Sequence, residues 1–234
     1  MDSLETELER ARALPVADIA DAIESIGFEC TRCGACCKAI ESDDSETGER
    51  EDHTATVFPD EIRRLQESGE YDWRDIARPM PYGVEDGPDG QTGETFEWAL
   101  QTDDCGDCQF YSEDEEGVGA CTVHGDRPLV CRTYPFSVAL GGTSQPMGEA
   151  VDREGLVRAH ECEGLGRDIS RADAEELGAA LKQRAVRELE EAIAVREAYD
   201  PAPAAAEEGV VVHDSEGSKR SDGTPLESER RDES

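Results

Sequence analysis

Lysine is nearly missing from this 234-residue chain: Lys38, Lys182 and Lys219 are the only three, and arginine supplies the remaining bases. Aromatic residues are scarce at 5%, within a hydrophobic fraction of 36%, which is thin for a large apolar core, so something else is expected to help hold the fold together. No apolar run approaches the roughly 20 residues that span a bilayer. The start, Met1-Asp2-Ser3-Leu4-Glu5, has neither the basic nor the apolar region of a secretory signal. The expectation is a cytoplasmic protein without membrane association. An excess of basic charge is absent too: 57 acidic and 23 basic side chains leave a formal net charge of −34, and a chain with no basic stripe is a poor direct ligand for nucleic acid. Also missing are a phosphate-cradling P-loop and a Rossmann fingerprint, a Gly-x-Ser-x-Gly elbow, and the three-gap, two-gap cysteine triplet of S-adenosylmethionine radical chemistry. No catalytic constellation is visible.

What is there begins with the acid. It is spread along the whole chain rather than blocked in one tail, which disfavours a dedicated basic partner as its cause. With scarce lysine and abundant alanine, it resembles the proteome of a salt-in halophile, a halophilic archaeon above all.

Nine cysteines stand against this background. They fall below the density of disulfide scaffolds, about 8–10%, and cytosolic thiols are kept reduced, so metal ligation is the expected use. Four crowd into Cys30-Thr31-Arg32-Cys33-Gly34-Ala35-Cys36-Cys37. Two residues between thiolates let a tight turn aim both sulfurs at one metal, and Gly34 tolerates the positive φ that such a loop needs. Three cysteines at successive two-residue gaps are also the opening of a ferredoxin run, although the continuation to Cys-Pro is absent. Adjacent cysteines are expected to diverge, which assigns Cys37 to a second ion or a multinuclear centre. Cys105, Cys108, Cys121, Cys131 and Cys162 supply further sulfurs, enough for two all-cysteine sites. His124 and His160 flank Cys121 and Cys162 as optional nitrogen ligands, whereas His53 and His213 read as bystanders. Arg127 and Arg132 flank Cys131, either to steady its thiolate from outside the ligand shell or as surface ion pairs.

Helical spacing predicts a polar helix over residues 2–13, stopped by Pro15, then an amphipathic one with Val16, Ile19, Ala20, Ile23 and Ile26 on one face and Gly27 as left-handed cap. Residues 41–53 read as an exposed acidic loop. Thr54–Phe58 reads as a strand, and Pro59 opens a helix to about Ser68. Met80 to Gly93 reads as loop and Glu94–Leu100 as a half-buried strand. Asp126 is the expected cap of a short helix through Pro128 and Cys131, followed by a strand and turn within 137–160. Ser170-Arg171-Ala172-Asp173 resembles a capping box opening the longest helix, to about Tyr199. The expected fold class is α+β, a small irregular cysteine-rich metal-binding domain of short strands wrapped by helices. Its expected divisions are N-terminal helices over 1–27, the cysteine-cluster domain over 28–170, a helix packing on it over 171–200, and a disordered acidic tail over 201–234.

The ordered motifs Phe28–Cys37, Cys108-Gln109-Phe110-Tyr111, Cys121-Thr122-Val123-His124, Arg127–Phe136 and Cys162-Glu163-Gly164-Leu165-Gly166 resemble the CxxCxxCC (YkgJ-like) cysteine-cluster family over about residues 28–170. The resemblance implies zinc- or iron-chelating proteins, often labelled iron–sulfur proteins or oxidoreductases without a defined reaction. It selects Cys30, Cys33, Cys36, Cys37, Cys108, Cys121, Cys131 and Cys162 as ligands and leaves Cys105 as an extra. Val123-His124 departs from the family's Ile-Tyr. The implied cofactor is zinc or an iron–sulfur cluster. The implied roles are redox handling, a structural zinc module recognising a protein partner, or, more remotely, a protein like a flagellin lysine N-methylase that carries a related region.

Charge repulsion in so acidic a chain is long-ranged in dilute buffer, where the screening length is about 30 Å at 0.01 M, and largely vanishes at 1 M, where it is about 3 Å. The melting temperature should therefore climb steeply between these salt concentrations. A melt indifferent to salt removes the halophile reading.

Overall fold

The computed structural model describes residues 3–41, 50–88, 90–140, 150–152 and 155–226. In chain order the elements are α1 (Leu4–Ala13), α2 (Val16–Ile26), β1 (Ile40–Glu41), β2 (Arg50–Glu51), β3 (Thr56–Val57), α3 (Pro59–Ser68) and α4 (Trp73–Ile76). Then follow β4 (Ala77–Pro79), β5 (Val84–Gly87), β6 (Gly90–Thr95), β7 (Trp98–Leu100), β8 (Tyr111–Glu113), β9 (Gly119–Cys121), α5 (Leu129–Thr133) and β10 (Phe136–Val138). The chain ends with β11 (Ala150–Asp152), β12 (Val157–His160), α6 (Arg171–Ala198), α7 (Pro203–Glu208), β13 (Val210–Asp214) and β14 (Gly217–Arg220). Helices beside several small sheets make the fold α+β. The contacts divide it into two compact units, residues 1–53 with 102–190 and residues 54–101 with 191–234.

The first unit is built on helix packing. Ser3 caps α1 by accepting from the Thr6 N–H at 3.3 Å. In α2, Ile19, Ala20 and Ile23 are wholly buried at the predicted spacing, and the Gly27 N–H closes the helix on the Ile23 carbonyl at 2.8 Å. Gly27 has φ +78° but ψ 140°, so it turns the chain outward rather than adopting the left-handed helical cap expected of it. A Cβ there would meet the Arg167 carbonyl oxygen at 2.5 Å. Helix α6 starts where Ser170 accepts from the Asp173 N–H at 3.1 Å. It buries Ala174, Gly178, Leu181 and Ala185 along one face. Gly178 allows a close crossing: a Cβ there would lie 3.3 Å from the Ala20 nitrogen of α2. The antiparallel sheet β10–β12–β11, the hairpin β8–β9 and the short antiparallel pair β1–β2 complete this unit; of the loop expected over 41–53, residues 42–49 lie outside the described residues. Asp126, the expected cap of a helix through Pro128, instead ends a one-turn 3-10 helix over His124–Asp126, and α5 begins only after Pro128. The proline ring disfavours helical backbone at Arg127, and that breaks the run in two.

The second unit holds the larger departures. Helix α3 starts on Pro59 as predicted, with Glu61 reaching back to the Phe58 N–H at 3.1 Å. Residues Met80–Gly93, expected as loop, include β5 and most of β6, an antiparallel hairpin in register from Val84↔Gly93 to Gly87↔Gly90. The expected strand Glu94–Leu100 is split, because β6 ends at Thr95 and β7 begins at Trp98. All three residues of β7 are buried, so no alternation survives there.

The expected disordered tail is also corrected as far as residue 226; residues 227–234 lie outside the described residues. Strand β13 adds in parallel to β6 and pairs antiparallel with β14, giving the sheet order β14–β13–β6–β5. Val211 and Val212 are core residues. The buried Asp214 accepts from Trp98 Nε1 at 2.8 Å and from the buried Lys219 ammonium at 2.7 Å. Lys219 also bonds Glu216 at 2.7 Å. Each charge buried here has a bonded opposite charge, the condition under which such burial is tolerated.

A chain truncated after Asp200 therefore loses a sheet strand, its hairpin partner and the partner of Trp98. The truncated protein should lose cooperative unfolding of the second unit, read by Trp98 fluorescence in a thermal melt. An unchanged fluorescence transition contradicts this assembly.

Candidate metal site

All eight cysteines chosen above lie in the first unit, as does Cys105. Phe28 leads out of α2 and packs edge-on against Phe136, with ring centroids 5.6 Å apart. Cys30 to Cys37 then form a loop whose turns require unusual backbone: Arg32 has φ +60° and Gly34 φ +78°. Cys36 and Cys37 share the one-turn 3-10 helix Ala35–Cys37, closed by the Cys37 N–H on the Gly34 carbonyl at 2.8 Å. Their sulfurs, expected to diverge, lie 3.9 Å apart. The tight turn puts both on one side. Zn–S bonds of about 2.3 Å place tetrahedral sulfurs about 3.8 Å apart, so these two can form one edge of such a site.

The rest of the loop is spent as a ladder for two distant segments. On one flank, the Cys108 N–H donates to the Cys37 carbonyl at 2.7 Å and the Gly119 N–H to the Arg32 carbonyl at 2.7 Å. Arg32 Nε returns a bond to the Gly119 carbonyl at 2.9 Å. On the other flank, the Glu29 N–H donates to the Gly164 carbonyl at 3.0 Å, Gly166 to Gly27 at 3.0 Å, and Phe28 pairs with Leu165. Gly164 is a forced choice, since a Cβ there would sit 2.3 Å from the Glu29 carbonyl oxygen. These bonds bring Cys108 and Cys121 to one side of the first loop and Cys162 to the other.

The electrostatics report the same convergence. Cys108 is buried, and desolvation pushes its thiol up to about 11, with Cys121 and Cys36 adding to the shift. Cys121 is raised by desolvation and again by Cys36, and lowered somewhat by Arg127. Cys162 is raised by desolvation, then by Cys33, Cys36 and Cys30. Cys36 is raised first by its hydrogen bond with Cys37, and Arg127 pulls it back. Cys36 thus lies within electrostatic reach of Cys37, Cys108, Cys121 and Cys162, and Cys162 within reach of Cys30 and Cys33. Cys131 is half-buried on the short helix α5, which the buried Arg184 braces through Thr133 Oγ1 at 3.1 Å and the Phe136 carbonyl at 3.3 Å. Cys105 is exposed, its N–H held by Asp103 at 2.8 Å. Among the described residues, no three Cys, His, Asp or Glu side chains are arranged as a finished ion cage.

His124 is exposed and its pKa is lowered, chiefly by the Arg127 charge, with Arg32 contributing. His160 is buried in β12 with Nε2 on Ser137 Oγ at 3.0 Å. His53 belongs to the first unit's backbone, its N–H on the Gly106 carbonyl at 2.9 Å. His213 is fixed in the second unit, between Glu94 at 3.1 Å and Ser218 at 2.9 Å. Arg127, read from sequence as a neighbour of Cys131, acts electrostatically on Cys36 and Cys121.

Two tyrosines join the site without having been singled out. Tyr134 donates to the Glu161 carbonyl, and its pKa is raised by burial and then by Cys162, Cys36 and Cys33. Tyr111 lies against Gly34. Each stands three residues after a cysteine, Cys131 and Cys108, and that repeated spacing was the available signal. Thr31 Oγ1 is buried in the loop with no hydrogen-bond partner, a donor suited to a nearby thiolate. Soft sulfur donors in this number and an orphaned hydroxyl beside them fit a thiolate-bound zinc or iron centre.

Among known families, the CxxCxxCC model, described as "Putative zinc- or iron-chelating domain", fits residues 29–163. No curated protein and no solved structure matches the chain.

Replacing Gly164 by Ala forces a methyl group into the Glu29 backbone and should push the Cys162 segment off the loop, at a cost of about 1–3 kcal/mol. Iodoacetamide alkylation of Cys162 in the metal-free protein, which should speed up, reads this directly. An alkylation rate equal to that of wild type contradicts the packing described.

Proposed function

The chain belongs to the CxxCxxCC family, and from that membership we propose that it binds zinc or iron through Cys30, Cys33, Cys36, Cys37, Cys108, Cys121, Cys131 and Cys162. One observation carries this reading: two segments remote in sequence are laid by backbone hydrogen bonds along both flanks of the first cysteine loop. The 3.9 Å approach of Cys36 and Cys37, the coupling of Cys36 to Cys108 and Cys121, and the Cys108 N–H on the Cys37 carbonyl support these four as one set. Cys30 and Cys33 act on Cys162 and would form the adjoining set with it, with Cys131 assigned to that set from the family resemblance alone. Bound metal would supply either fixed structure or, as an iron–sulfur centre, a site for one electron.

The residues around the sulfurs have separable tasks. Arg127 offsets the thiolate charge of Cys36 and Cys121. Thr31 supplies a hydroxyl donor inside the loop. Closing the cage takes side-chain rotation on a backbone already aligned, with protons leaving the thiols as they bind. The successive two-residue gaps favour an iron–sulfur centre that handles electrons for a protein partner. An all-thiolate zinc module serving partner recognition is the alternative outcome. The dispersed acidity and scarce lysine favour a halophilic archaeal, YkgJ-like member working in the cytoplasm.

Purification without oxygen in high salt, followed by elemental analysis and an absorption spectrum, separates these outcomes. Iron with an absorption band at about 400 nm is the expected result for an iron–sulfur centre. Stoichiometric zinc without colour moves the protein to the structural reading, and the absence of both metals rejects metal binding.

A further inference from the structure

We propose that Tyr111 is the positioning residue of the cysteine site, holding Cys36 and Cys37 against Cys108 and Cys121 before any ion arrives; as a statement about metal retention this rests on the metal-binding reading above. The phenol occupies a slot between two glycines. A Cβ on Gly34 would lie 1.9 Å from Tyr111 Oη and 2.4 Å from Cζ, and a Cβ on Gly119 2.8 Å from Cε2 and 3.0 Å from Oη. One ring therefore touches the first cysteine loop and the β9 strand that carries Cys121. Its own N–H bonds the Cys108 carbonyl at 2.8 Å, which ties in the third element.

The ring cannot swing away freely. Its hydroxyl donates to Glu113 Oε1 at 2.6 Å. The same carboxylate oxygen takes the Lys38 ammonium, which also lies 5.3 Å from the Tyr111 ring centroid. Lys38 directly follows Cys37, so this pair pins the far end of the loop. It is partly exposed, and salt screens such a pair. The contact of the ring with both glycines is therefore the dominant part of the clamp, and the charges orient it. Tyr111 makes no bond to metal in this role. It reduces the freedom that the sulfurs would otherwise lose on binding.

The test uses the full-length protein in high salt, metal-free and metal-loaded. In the metal-free form, iodoacetamide alkylation followed by peptide mass spectrometry reads each cysteine separately. Tyr111→Ala should speed alkylation of Cys36 and Cys37 about tenfold and metal loss to a chelator by a similar factor, within the range for groups outside the ligand shell. Cys30 and Cys162 should keep their wild-type alkylation rates. Tyr111→Phe, which keeps the ring, should stay within about twofold. Gly34→Ala should be severe, and adding Tyr111→Ala to it should recover part of the loss, because the clash goes while the strained φ remains. Unchanged rates at Cys36 and Cys37 in Tyr111→Ala, or an equal rise at every cysteine, overturns the positioning role. A wild-type protein that takes up no metal but still shows the localised alkylation response keeps that role and removes the metal reading instead.

Discussion

The site depends on how the backbone of residues 27–37 is used. A loop that crowds four cysteines into eight positions has only the one-turn 3-10 helix Ala35–Cys37 to satisfy its own peptide groups, and buried peptide groups must be paired. Here the pairing is given to segments from elsewhere in the chain: Cys108 and Gly119 on one flank, Gly164 and Leu165 on the other. The same bonds that satisfy the loop deliver the remote sulfurs. Assembly of the site and folding of the first unit are thus one process, and metal affinity adds to a convergence the chain has already begun.

Glycine at the contact points makes this possible. Gly164 admits the Glu29 carbonyl, Gly119 admits the Arg32 carbonyl and the Tyr111 ring, and Gly34 takes both a left-handed turn and the same ring. Gly119 and Gly164 are there because of close approach and Gly34 also because of conformation, so a methyl group is excluded at each for a different mixture of reasons. The thiols pushed up by burial and by one another represent the opposing cost. Deprotonating several of them together is unfavourable until a cation or the nearby arginine charge offsets it.

Much of the scaffold was legible in the sequence where a local rule sufficed. The apolar stripe of α2, Pro59 at the start of α3 and Ser170 at the start of α6 each rest on contacts within a few residues, and the structure has all three. The cysteine loop was legible for the same reason. Pairings across long sequence separations were not. Val210–Asp214 is a short apolar run set among Ala, Pro, Glu and Gly, and nothing local reveals that β6 receives it. The β5–β6 hairpin, rich in Gly and Asp, buries little and stands on its backbone ladder. At the site, the candidate ligands could be named but not their grouping. The 3-10 turn that aligns Cys36 with Cys37 and the slot that takes Tyr111 are products of backbone geometry rather than of spacing.

The most direct measurement is metal bound per chain in single-cysteine variants of the full-length protein, purified without oxygen in high salt. Cys121→Ser and Cys162→Ser, each on a different flank of the loop, should each lower the metal content, while Cys105→Ser should match wild type. Full metal content in both Cys121→Ser and Cys162→Ser would mean that the first loop binds alone, contradicting the convergence on which this account of the site is built.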